Sequence, residues 1–80
     1  MTLICLIIKK TDESDDWVKY AFGNPPYKVL GNLIIYKKTG EVELLDLKNS
    51  KCKYALNCAI RRLKEHYEKA EFPEITDYMS

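Results

Sequence analysis

Hydrophobic and polar positions change period along this chain, and the changes predict its elements. Leu3-Ile4-Cys5-Leu6-Ile7-Ile8 is apolar on both alternating faces and holds three β-branched isoleucines, the pattern of a strand covered on both sides. This predicts a central strand over Leu3 to Lys9. From Trp17 the period is two, with Val18, Tyr20 and Phe22 against Trp17, Lys19 and Ala21, which predicts a second strand. Val29 to Tyr36 forms a third β-rich run, and in Glu41-Val42-Glu43-Leu44-Leu45 two apolar residues alternate with two glutamates. Beyond residue 50 the period lengthens. Cys52, Leu56, Ala59, Ile60, Leu63 and Tyr67 recur three and four apart, one apolar stripe of a helix.

The connections carry their own signals. Thr11-Asp12-Glu13-Ser14-Asp15-Asp16 places four carboxylates among small polar residues and reads as a loop. Gly23-Asn24-Pro25-Pro26 ends the second strand, because proline cannot donate to a ladder. Lys37-Lys38-Thr39-Gly40 reads as a short bulged hairpin in which Gly40 takes the left-handed conformation. Asn49 or Ser50 can cap the helix, and Phe72-Pro73 ends it, since the residue before proline avoids helical geometry. Ile75 and Tyr78 remain as anchors for the tail.

These elements predict an α+β fold: a four-stranded antiparallel sheet (β-β-β-β-α) with one C-terminal helix packed on one face. A single helix of about five turns covers one face of such a sheet. On the other, Leu3, Cys5 and Ile7 or their alternates, with part of the Leu33/Ile35 or Ile34/Tyr36 set, stay exposed. The reading therefore expects a homodimer through that face, against the simpler alternative that the tail folds over it.

Length and charge narrow the function. At 80 residues the chain is read as one domain over 1–80, near the lower size limit for an unaided core. Thirteen Lys+Arg against twelve Asp+Glu give a formal net charge of +1, without the basic excess that phosphate neutralisation brings to nucleic-acid binders. Cys5, Cys52 and Cys58 are odd in number and lack paired C-x-x-C spacing, which points to a reducing cytoplasm rather than a disulfide framework or zinc site. The opening apolar run is followed, not preceded, by Lys9-Lys10 and falls short of the roughly 20 residues of a membrane helix. Neither an export signal nor a membrane segment is expected.

Catalytic chemistry finds little material. His66 has no acid at i−4 or i+4 to orient it and reads as a solvated helix histidine. Cys52 and Cys58, six apart on one helix, cannot share a ligand or a disulfide, and both read as core or half-buried thiols. Gly23, Gly31 and Gly40 are isolated, so no phosphate-cradling loop can be drawn. The acids Asp12, Glu13, Asp15 and Asp16 lack the glycine and distal glutamate of a calcium loop. The expectation is a protein without catalytic residues, metal or cofactor.

Charge is unevenly spread along the helix and tail. Residues 51–64 hold five cations and no acid, whereas 65–80 hold five acids and one lysine. Cations in the first half of a helix oppose its macrodipole. Lys53, Asn57, Arg61 and Lys64 share one helical face, which is either an ordinary solvated helix back or a contact for phosphate or an acidic partner. The acidic run is likewise either a solvated loop or a docking surface for a basic partner.

Tyr20-Ala21-Phe22-Gly23, then Gly31-Asn32-Leu33-Ile34-Ile35-Tyr36-Lys37-Lys38-Thr39-Gly40-Glu41-Val42-Glu43-Leu44, then Phe72-Pro73-Glu74, resemble small immunity proteins of bacterial polymorphic toxin systems, including the contact-dependent growth inhibition and Maf-type systems. The resemblance spans most of the chain. Its Tyr-x-Phe-Gly and Lys-x-Thr-Gly-Glu motifs speak to the fold. It implies a cytosolic protein without catalytic residues that captures one cognate toxin domain, commonly a nuclease, and it carries over no contact residue.

The residues point the same way. Clustered carboxylates at Asp12, Glu13, Asp15 and Asp16 can enter the basic cleft of a nuclease as phosphate mimics and steer association. Trp17 beside them supplies an aromatic anchor. Two other classes stand against this. One is a small RNA- or DNA-binding module using Lys37, Lys38, Lys53, Arg61 and Lys64 on phosphates and Tyr36 as a stacking ring. The other is a scaffold subunit using the exposed sheet face.

Overall fold

The computed structural model of the protein describes residues 5–24, 28–48 and 53–79. Strands β1 (Cys5–Glu13), β2 (Trp17–Asn24), β3 (Lys28–Tyr36) and β4 (Val42–Leu47) precede helix α1 (Lys53–Glu68), and strand β5 (Ile75–Met79) follows it. All strand pairs are antiparallel, in the order β4-β3-β2-β1-β5. The fold is α+β as expected, but the sheet has five strands rather than four, and the helix is not the last element.

The fifth strand explains the first. With β2 on one side and β5 on the other, β1 is interior, as its two-faced apolar run requires. Pairing runs from Cys5↔Met79 to Lys9↔Ile75. The connection after α1 is pinned where β5 begins: Lys10 N donates to Glu74 O at 2.7 Å, and the buried Tyr20 hydroxyl donates to Pro73 O at 2.8 Å. Burial pushes the Tyr20 phenol pKa upward, Glu13 adding to the effect. The tail thus extends the sheet sideways instead of folding over its open face.

The core lies between α1 and one sheet face. Leu6 and Ile8 of β1, Val18, Tyr20 and Phe22 of β2, and Leu33 and Ile35 of β3 are buried with Cys58, Ala59 and Leu63 of α1. Burying each large apolar side chain contributes roughly 1.5–3 kcal/mol. Gly31 sits opposite Phe22, and a β-carbon there would lie 2.7 Å from the Phe22 ring and 2.6 Å from Asp46 O. Glycine lets the ring lie over β3.

The expected hairpin between β3 and β4 is present. Gly40 has φ of 74°, its N–H donates to Tyr36 O at 2.8 Å, and Tyr36 N donates to Glu41 O at 2.9 Å. The predicted loop over Thr11–Asp16 is corrected: β1 continues through Glu13 with an irregularity between Lys10 and Asp12, and Ser14 closes the turn. Ser14 N donates to Trp17 O, and its Oγ accepts from Asp16 N and Trp17 N at 3.2 and 3.3 Å, a serine turn that needs only Asp15 and Asp16 at its tip.

Helix α1 also stops earlier than Phe72-Pro73 predicts. Ala70 adopts φ of 58°, Ala70 N donates to Tyr67 O, and Glu71 N donates to His66 O. This is a Schellman termination with alanine in the left-handed position usually held by glycine. Asn49, Ser50 and Cys52, the expected caps and first stripe residue, lie outside the described residues, as do Leu3 and Pro25–Tyr27.

Candidate functional site

The sheet face opposite α1 is set by strand alternation. With Val18, Tyr20 and Phe22 turned to the helix, Trp17, Lys19 and Ala21 face the other way, and the register places Tyr36 beside Trp17, Ile34 beside Lys19 and Asn32 beside Ala21. Ile7 and Lys9 of β1, Glu43 and Asp46 of β4 and Ile75 and Asp77 of β5 complete the face. It is more polar than the sequence reading supposes: Leu33 and Ile35 belong to the core, and Ile7 and Ile34 are half-buried.

The predicted acidic cluster is only partly brought together. Because β1 runs on through Glu13, Asp12 and Glu13 point to opposite faces. Glu13 turns to the helix side and pairs with Lys10 and Lys37, each at 2.8 Å. The hydrogen bonds from Lys10 and then Lys37 hold its carboxyl down at about 2. Asp12 lies across from Lys19 on the open face and accepts from Glu13 N at 2.8 Å. Asp15 and Asp16 are exposed at the turn, directly before the half-buried Trp17.

The hairpin register adds residues that the chain order hides. Asp16 O accepts from Lys37 N at 2.9 Å, which ties the β1–β2 turn to the β3–β4 hairpin. The Tyr36 hydroxyl donates to Glu43 at 2.6 Å, and this bond raises the Tyr36 pKa. A cleft lined by Asp16, Tyr36, Lys38, Thr39 and Glu41 opens beside the pair. One end of the sheet therefore presents two aromatic rings, Trp17 and Tyr36, among Asp12, Asp15, Asp16, Glu41 and Glu43. The legible signal for Tyr36 and Glu43 was the Gly40 hairpin, whose register sets Ile34 opposite Glu43.

The alternative cationic set is divided. Lys53, Arg61 and Lys64 are exposed on α1, on the far side of the sheet from Tyr36. Lys37 is occupied by Glu13 and lies over the Phe72 ring at 5.8 Å. The surface imagined for nucleic acid, with Tyr36 stacking beside the helix cations, does not exist as one patch.

His66 is not the solvated residue expected. Its side chain is 21% exposed, with Nε2 2.9 Å from Thr76 Oγ1 and Nδ1 3.3 Å from Glu71. The carboxylate only accepts, so Nδ1 carries a proton and, in the neutral ring, Nε2 accepts from the threonine hydroxyl. The orienting acid sits at i+5, reached because the Schellman turn folds Glu71 back. Cys58 is buried and unpaired, as read.

Among the described residues, no group of three or more His, Cys, Asp or Glu is placed to hold a metal ion, and no helix is long and apolar enough to cross a membrane. No family model, curated protein or solved structure matches the chain.

Proposed function

We propose that this protein is a cytoplasmic immunity protein that captures a cognate toxin domain, a nuclease, by setting the acidic end of its sheet into the toxin's basic cleft. The observation that supports this reading is the Trp17–Tyr36 pair bordered by Asp12, Asp15, Asp16, Glu41 and Glu43. Aromatic side chains supply rigid contact area, and carboxylates around them match a surface built for phosphates. Glu13 takes no part in this surface, since Lys10 and Lys37 already neutralise it. In the same reading the open sheet face pairs with a second copy, because Ile7, Ile34 and the 61% exposed Ile75 lie on it.

The test uses the toxin domain that this reading requires the neighbouring reading frame to encode. Reversing Asp12, Asp15 and Asp16 to lysine slows association and weakens its salt dependence, because rim charges act on the encounter rate. Trp17→Ala mainly speeds dissociation, at a cost on the order of 2 kcal/mol. The comparison variant is Lys53→Glu with Arg61→Glu. If that pair abolishes binding while the acidic variant associates at the wild-type rate, the phosphate-mimic docking is wrong.

A further inference from the structure

The cations of α1 come together with a different set of aromatic residues. A cleft of about 250 Å3 lies between α1 and β5, lined by Tyr54, Asn57, Cys58, Arg61 and Tyr78. Tyr54, Cys58 and Arg61 fall on successive turns of one helical stripe, so a ring, a thiol and a guanidinium line the same wall. Tyr78 supplies the facing wall from β5. Its ring is held by Arg62, whose guanidinium lies 5.5 Å from the ring centroid and donates to Glu65 at 3.0 Å.

Arg61 differs from its neighbour. Among the described residues it makes no ion pair, and its one polar contact is the Tyr78 hydroxyl at 3.5 Å, the outer limit of a hydrogen bond. Lys53 and Lys64 flank it, also without an ion pair among the described residues, and the first turn of α1 holds no acid. Tyr54 is 58% exposed, a large ring kept in water beside the Asn57 amide. The near-neutral net charge of the chain hides this grouping, since acids elsewhere in the chain, among them Glu65 and Glu68 further along α1, offset it.

We propose that this groove binds a nucleotide unit, with its phosphate on Arg61 between Lys53 and Lys64 and its base against the Tyr54 ring, where the Asn57 amide can reach the base edge. A guanidinium matches phosphate in two-pronged geometry, and an exposed ring stacks on any base. An acidic peptide would use the cations but leave the ring and amide without a role. The site is separate from the Trp17 surface and does not depend on the immunity reading.

Fluorescence anisotropy with a short fluorescein-labelled single-stranded RNA tests this on the full chain. Saturable binding is expected, weakened about tenfold by Arg61→Ala and by Tyr54→Ala, preserved in Tyr54→Phe, and unchanged by Lys48→Ala, an exposed lysine just after β4 at the sheet edge opposite β5. Tyr54 and Arg61 are exposed, so unchanged melting curves will show that the variants fold. Displacement by adenosine monophosphate supports the groove with a free nucleotide as its ligand, and displacement by unlabelled strand alone supports it with RNA. Absence of binding, displacement by polyglutamate as effective as by RNA, or an equal loss in Lys48→Ala would overturn the proposal.

Discussion

Ala70 and Glu13 show how single residues carry strain and charge in this fold. Ala70 occupies the left-handed region at φ of 58°, where an L side chain costs about 1–2 kcal/mol and glycine costs little. Ala70→Gly should therefore raise stability by about 1 kcal/mol after the extra unfolded-state entropy of glycine, read from the urea midpoint. An unchanged or lower midpoint would show that the turn is not strained. Glu13 has its carboxyl lowered from the ordinary 4.5 to about 2 by Lys10 and Lys37. A depressed pKa contributes stability above the unfolded value, and that contribution is lost as pH falls from about 4.5 toward 2. Solvent screens such an exposed cluster, so the effect is best seen in the slope: Glu13→Gln should flatten the acid limb of the stability profile and leave the region above pH 6 nearly level.

At the scale of elements, β5 depends on what precedes it. Ile75, Thr76 and Tyr78 favour strands, but an isolated edge strand of five residues is marginal. Its placement follows from the Schellman turn, the Lys10–Glu74 and Tyr20–Pro73 bonds, and the His66–Thr76 contact. His66→Ala should lower stability by about 1 kcal/mol, the usual net worth of a hydrogen bond. It should also raise amide exchange in β5 more than in β2. Equal exchange in both strands would mean that His66 does not clip the edge. The same dependence kept His66 hidden in the sequence: its partners stand at i+5 and i+10, distances that no helical periodicity links.

For the whole molecule, the balance between self-association and solvation is set on the open sheet face. Its apolar residues are interleaved with Lys9 and Lys19, whose stems can cover part of Ala21 and Ile34 while their charges stay in water. If a second copy covers the face, light scattering at micromolar concentration should report a dimer whose mass depends on concentration. A monomer mass persisting at high concentration would refute pairing and leave the lysine stems as the cover. The groove at α1 lies on the other side of the sheet, so a dimer through this face would leave it accessible, whereas Trp17 and Tyr36 stand on the face itself.

Local pattern alone determined β2, β3, the Gly40 hairpin and the buried stripe of α1, because each is written in residues two, three or four apart. Charge counting placed the cations on the first half of the helix, but within Lys53–Glu68 only Lys53 stands there, and Arg61, Arg62 and Lys64 stand in the second half. Only the tertiary structure decided that β1 has a partner on both sides and that Asp12 and Glu13 part company. It likewise decided that Tyr36 and Glu43 join Trp17, and that Tyr78 closes a groove against Arg61. Each of those pairings spans many residues of chain or turns on a one-residue register step, which reverses the face of every following side chain. Propensity and periodicity carry no information at such separations. The buried core of β1, β2 and β3 fixes the register, and the positions of the charged side chains follow from it.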